Sequence, residues 1–337
     1  MSSSRILNNS RLYCHTKYPE TEIFFSLVDY HNNYFTSDDP DKIIEFYNGF
    51  DNRKQLIKWM KERPKGYSHI RKIEGEKDIV VVITTADFNG KYAIDCRETI
   101  FKGLQIIFVE SGGREDFYFN YAHNCNTGMV EAIKYNPKWI VLSGDDMIKI
   151  EPISKLVDEL HNINNEVIDV VYTNPSHYHS TPMFLATPNR FFQFALMIIR
   201  PFSKRFDNVL KTYSQLKRFN KKLFFPRYNY NSNLKYKIEN LIFFKKIETF
   251  TSILSFGIFS SGLIKKLNGV LLDSNYINEM EDIDLSIRIK REKLNSAVIN
   301  FKIGEYVGSS LGNGGTRTAM VVPGWTYFSY KKEKGQI

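Results

Sequence analysis

Asp145 and Asp146 stand side by side after the apolar run Trp139-Ile140-Val141-Leu142 and the pair Ser143-Gly144. Farther along the chain, Glu281-Asp282-Ile283-Asp284 follows Gly269-Val270-Leu271-Leu272-Asp273. Carboxylates at the end of a buried strand are costly unless something offsets their charge. A divalent cation with oxygen ligands is the usual offset. A carboxylate from distant sequence could then serve as a base. These are the groups needed to move a group off a phosphate-bearing donor, one set steadying the leaving phosphates and the other taking a proton from the incoming nucleophile.

The surrounding elements must bring these residues to one place. Ile79-Val80-Val81-Val82-Ile83 is a continuous β-branched run, which predicts a strand buried on both faces. Leu104 to Val109 predicts a second strand, closed by Glu110-Ser111-Gly112-Gly113, and Trp139 to Leu142 a third. Val167 to Tyr172 predicts a fourth, and Ser296 to Ile303 a late one. Between them, Lys91 to Phe101, Asn126 to Tyr135 and Glu151 to Leu160 have helical texture, the second stopping at Asn136-Pro137. This alternation predicts an α/β fold with a mostly parallel sheet covered by helices. Ligands of such sheets sit at the carboxyl ends of strands, where the Thr84, Glu110 and Asp145 turns fall. Ahead of the sheet, Asp41 to Tyr47 and Asp51 to Glu62 read as short helices, with Asp39, Asp41 and Asp51 as caps. Residues 1–75 are expected to form a packing appendage. The glycine-rich stretch from Gly304 is expected to be a mobile loop.

A chain of 337 residues with 42% hydrophobic and 25% charged residues is ordinary for a globular protein. Met1 to Ser10 carries no apolar signal-peptide core, and no apolar stretch approaches the ~20 residues of a spanning helix. Cys14, Cys96 and Cys125 show no metal or redox spacing, which suits a reducing, cytoplasmic setting. The net charge of +9 is uneven. Residues 190–246 hold 14 Lys and Arg against two acids, Asp207 and Glu239, while the rest of the chain holds 32 against 35. That segment interleaves bases with Phe and Tyr. It is open to three readings: a peripheral surface for an anionic membrane or lipid-linked acceptor, a nucleic-acid grip, which is the least favoured, or a solvated insertion whose aromatics pack on the core.

Taken together, the chain from about Asp78 to Gly312 resembles the inverting family 2 glycosyltransferases of the GT-A, Rossmann-like fold. The matching pieces are the strand Ile79 to Thr85, Asn126-Thr127-Gly128, Ser143-Gly144-Asp145-Asp146-Met147, and, most specifically, Glu281-Asp282-Ile283-Asp284-Leu285-Ser286-Ile287-Arg288. The resemblance implies a glycosyltransferase domain over residues 76–312. It would carry an insertion at about 185–250 and be followed by a tail or lid over 313–337. It implies Mg²⁺ or Mn²⁺ held by Asp146, with Asp145 as a second ligand or ribose contact, and a nucleotide-diphosphate sugar as donor. Donor contacts are expected from Thr84, Thr85, Asp87, Glu110, Ser111, Asn126, Gly128 and Asp145. Asp282 is the expected general base, with Glu281 and Asp284 positioning it and Arg288 pairing with one of them. The implied acceptor is a hydroxyl on a glycan, protein or membrane lipid. A different class also fits these residues: a degenerate transferase domain that binds membrane or nucleic acid without catalysis.

The chain departs from the family pattern in several places. Cys125 stands where the family commonly has Arg before the Asn. Glu110-Ser111 stands near a base-reading Asp, and Glu305-Tyr306-Val307-Gly308-Ser309-Ser310 lacks a His that often ligates the metal. Ile283, Leu285, Ile287 and Ile289 alternate as in a strand, but the resemblance implies a helix there, and a helix is expected. His177 and His179 are expected as loop histidines, Gly112-Gly113 as a plain turn, and His123 as structural.

Overall fold

The computed structural model describes residues 39–66, 68–111, 118–173, 182–185, 248–251, 253, 255–277, 279–306 and 320–337. Two N-terminal helices, α1 (Pro40–Asn48) and α2 (Arg53–Glu62), come first. Asp39 caps α1 as expected, but Asn52 rather than Asp51 caps α2, its side chain accepting from the Lys54 and Gln55 N–H groups. The strands follow: β1 (His69–Ile73), β2 (Glu76–Thr85), β3 (Leu104–Glu110), β4 (Trp139–Gly144), β5 (Met147–Lys149) and β6 (Val170–Thr173). Later come β7 (Pro182–Leu185), β8 (Glu248–Thr251), β9 (Phe256–Ser260), β10 (Ser296–Ile299) and β11 (Ile303–Glu305). Between and after the strands lie α3 (Lys91–Asp95), α4 (Tyr121–Ala132), α5 (Ile153–His161), α6 (Ser261–Lys266), α7 (Glu281–Arg291) and α8 (Val322–Glu333).

Seven strands form one sheet in the order β1-β3-β2-β4-β9-β6-β10. β3, β2, β4, β6 and β10 share one direction, while β9 and the edge strand β1 run against them. The sheet is therefore mixed, with five strands of seven in the expected common direction. The β-branched run predicted to be buried on both faces is so. Ile79, Val81 and Ile83 enter one core cluster, Val80 and Val82 the other. All five are fully buried, each contributing roughly 1.5–3 kcal/mol of hydrophobic stabilisation. α3 and α5 cover the first face, and α4, α6 and part of α7 the second.

A third cluster joins α1, α2 and α8 to Tyr276, Ile277, Met280, Ile283 and Ile287. It revises two expectations at the ends of the chain. The boundary at residue 75 falls between two strands of one sheet, because β1 pairs with β3 from His69↔Glu110 to Ile73↔Ile106. The C-terminal segment from Met320 is helical and buried rather than loop, with Phe328 and Val322 fully buried. β11 likewise orders Ile303 to Glu305 against β5, within the stretch expected to be loop.

The strand-like alternation in α7 has a packing cause. Ile283 and Ile287 lie one turn apart and face the α1–α2–α8 cluster, while Leu285 and Ile289, also one turn apart, face the sheet. A helix buried on two sides reads as a strand.

The basic insertion, His177, His179, Gly112, Gly113 and Cys14 lie outside the described residues. The two ends of the insertion meet, since β7 and β8 pair antiparallel from Pro182↔Thr251 to Leu185↔Glu248. No helix among the described residues is long and apolar enough to cross a membrane.

Candidate active site

Register places the first set of acids. Thr84 lies opposite Gly144 and Thr85 opposite Glu110, so the carboxyl ends of β2, β3 and β4 form one ledge. Thr85 ties the ledge together. Its hydroxyl donates to Asp145 Oδ2 at 2.6 Å and accepts from the Asp87 N–H at 3.3 Å, and its carbonyl accepts from the Ser111 N–H at 3.1 Å. The Asp87 carboxylate accepts from the Asn89 N–H, which shapes the β2–α3 turn. A Cβ on Gly144 would lie 2.8 Å from Asp146 Oδ1, so a side chain there would displace that carboxylate. Asp146 itself is 9% exposed.

The charge of Asp145 is poorly offset. Burial, then the neighbouring Asp146 and Asp87, drive its carboxyl up to about 6, against the hydrogen bonds from Thr85 and its own backbone N–H. An all-oxygen set with excess negative charge suits a hard divalent cation. Among the described residues, no three His, Cys, Asp or Glu side chains are gathered as a preformed metal group. A Mg²⁺-type ion is usually held by one or two carboxylates together with substrate phosphates and water. Asp145 and Asp146 fit that role.

The second acidic block opens α7. Ser286 Oγ donates to the Asp282 carbonyl at 2.7 Å and accepts from the Ile253 N–H at 2.8 Å. Two residues on, the Ser255 carbonyl accepts from the Gly144 N–H at 3.1 Å. α7's first turn is thereby tied to the start of β9, which pairs with the end of β4 at Ser143↔Phe256. Both acidic blocks thus belong to the same end of the sheet. Asp282 is half-buried, its Oδ1 accepting from the Ile283 N–H at 2.7 Å. Glu281 is 5% exposed, and its Oε2 has no hydrogen-bond partner. Burial, then Asp282 and Glu279, hold its carboxyl well above the ordinary carboxylate range. Arg288 donates to the Leu271 carbonyl, and its charge also acts on the expected neighbour Asp284.

Three expected donor contacts are committed to structure instead. Asn126 uses both ends of its amide on the Leu272 backbone, donating to the carbonyl at 2.7 Å and accepting from the N–H at 2.9 Å. Gly128 faces the sheet: a Cβ there would lie 2.3 Å from Val82 Cγ1 and 2.9 Å from Val109 Cγ2. Both sit inside α4, which starts at Tyr121 under an Asn120 cap, five residues before its predicted start. Glu110 accepts from the Phe88 N–H at 2.8 Å and from Arg71 Nε at 2.9 Å. Burial pushes its carboxyl up, but these two donors hold it below the ordinary range. Cys125 is fully buried, and burial drives its thiol up.

Sequence reasoning passed over the groups that hold the turn after β2. Arg97 Nη1 donates to the Phe88 carbonyl at 2.6 Å, and its guanidinium lies 4.4 Å from the Phe88 ring centroid. The Arg71 guanidinium lies 5.1 Å from the same centroid. Two isolated arginines and a phenylalanine carry no local signal for this stack.

The chain matches no protein-family model and no curated protein.

Proposed function

We propose that this protein is a metal-dependent inverting glycosyltransferase that uses a nucleotide-diphosphate sugar as donor. The observation that carries the reading is the link between the two acidic blocks: Asp145 and Asp146 at the end of β4, and Asp282 tied through Ser286 and Ile253 to the strand that pairs with β4.

In this reading Asp145 and Asp146 hold Mg²⁺ or Mn²⁺. When bound, the ion neutralises the diphosphate as it leaves. An opposite charge at ~4 Å is worth roughly 1 kcal/mol in water and about 4 kcal/mol near a protein surface, so the buried ledge is the better place for it. Thr85 keeps Asp145 aimed, and Asp87 adds charge at the same turn. Asp282 takes the proton from the acceptor hydroxyl. The acceptor oxygen then bonds to the anomeric carbon as the bond from that carbon to the diphosphate oxygen breaks. Attack opposite the leaving group inverts the configuration. Burial of the neighbouring Glu281 disfavours a second negative charge on this pair. The acceptor class, the basic insertion as an anionic membrane surface, and a cytoplasmic setting belong to the same proposal.

The test is turnover of a panel of nucleotide-diphosphate sugars, by hydrolysis or transfer, with Mn²⁺ or with chelator. Mn²⁺-dependent turnover, lost in Asp146→Ala, supports the reading. Absence of both turnover and donor binding across the panel favours a non-catalytic domain that docks through residues 190–246.

A further inference from the structure

α7 begins under strain. Glu279 and Met280, neither a glycine, take φ values of 78° and 76°, and Met280 offers α7 no side-chain cap. Non-glycine residues persist in this region only where their surroundings over-determine them. The next four residues are the acidic block that includes Asp282. Just before this turn the Ile277 carbonyl accepts from the Tyr121 N–H at 3.0 Å, and the segments on both sides of the turn are held from the far end of the chain.

Lys331 of α8 is 8% exposed and lies between the buried carboxylate of Asp284 and the half-buried one of Asp273. Its Nζ donates to Asp284 Oδ2 at 2.5 Å and to Asp273 Oδ2 at 3.0 Å. Asp273 also accepts from the Tyr327 hydroxyl at 3.1 Å and from the Asn275 N–H at 3.0 Å. Lys331 further sits 5.5 Å from the Tyr276 ring centroid and 5.8 Å from that of Tyr327. The ammonium therefore bridges the segment entering the strained turn (Asp273) and the helix leaving it (Asp284).

We infer that Lys331 is a positioning residue for Asp282, and that the C-terminal helix is part of the active site rather than a tail. Lys331 fixes the chain on both sides of residues 279–282, and so sets where the Asp282 carboxylate lies when the acceptor arrives. The inference rests on the reading of Asp282 given above as regards catalysis, but the positioning itself stands apart from it.

The test has two independent readouts on Lys331→Met. The first is amide hydrogen exchange. The N–H groups of Asp284 to Ile287 should exchange at least about tenfold faster, while those of β2 and β4 stay as protected as in the unsubstituted chain. Unchanged exchange in α7 would overturn the inference. The second is kinetic. Transfer should lose about 100-fold in kcat, as expected of a misplaced catalytic group, with donor KM within about threefold. Lys331→Arg, which keeps the charge, should recover part of kcat. An equal loss in both constants, or no recovery by arginine, would reduce Lys331 to a structural ion pair. If Lys331→Met does not fold, the double variant Asp284→Asn/Lys331→Met removes the more buried of the two carboxylates left without the lysine and carries both readouts. If the unsubstituted chain turns over no donor, the transferase reading fails, while hydrogen exchange still decides the positioning.

Discussion

Asp145 is where function and stability pull apart. Its ordinary pKa of 3.8 rises to about 6 in the folded chain. Between these values the folded state binds more protons than the unfolded one, so this carboxyl's contribution to stability is full below the lower value and lost as pH rises through the upper one. The loss is at most about 3 kcal/mol, less after solvent screening. Asp145→Asn can keep the Thr85 hydrogen bond while removing the charge. Urea melts at pH 5 and 7.5 should show the unsubstituted protein losing stability relative to this variant as pH rises. The variant should also lose Mn²⁺-dependent turnover by at least about 100-fold. A variant no more stable at pH 7.5 would mean that the carboxylate is already offset within the chain. The Asp145-Asp146 pair and Asp282 were legible because each closes or opens an apolar segment. Glu110 was not, because its partner Arg71 lies on an edge strand 39 positions away. Nothing in the local sequence says that its carboxylate is already engaged.

At the scale of elements, α4 lies on the sheet by virtue of Asn126 and Gly128. Gly128→Ala would put a methyl into Val82 and Val109, an overpacking cost of about 1–3 kcal/mol. Asn126→Ala would strand a buried N–H and carbonyl of Leu272, also about 1–3 kcal/mol. Denaturant melts should show both losses, while calorimetry should find donor affinity unchanged. A weakened donor with intact stability would return the two residues to the binding set. Their motif looked like a ligand loop before a helix because the helix start lies earlier, at the Asn120 cap. At α7 the residue pattern pointed to a strand and the resemblance to a helix, and the helix is what the structure has. Its residues alternate because it is buried on two faces, and alternation alone cannot separate that from a strand.

Across the whole molecule, the two ends of the chain build one core. Met320, Val321, Val322, Tyr327 and Phe328 pack with Ile43, Tyr47, Leu56 and Met60, and the Glu333 carboxylate accepts from the Arg53 guanidinium. Removing residues 320–337 should therefore unfold α1 and α2 as well. The far-UV helical signal should fall by more than the 12 residues of α8 account for. A loss limited to α8 would mean that the N-terminal helices stand alone. This long-range closure had no signature in the chain, since α8 is apolar on several sides and follows a glycine-rich stretch. The five strands of common direction were legible, β2, β3 and β4 most clearly because parallel strands buried on both faces read as continuous apolar runs, whereas the antiparallel β1 and β9 were not predicted as strands.

The central claim is that Asp146 and Asp282 serve one reaction in different roles. It is tested most directly by measuring Mn²⁺ binding and sugar turnover together on Asp146→Ala and Asp282→Asn. Turnover should fall by at least about 100-fold in both, as expected of a lost ion site and a lost general base, while Mn²⁺ binding with donor is lost in Asp146→Ala and kept in Asp282→Asn. Full turnover by Asp282→Asn, or undiminished Mn²⁺ binding by Asp146→Ala, would contradict the account.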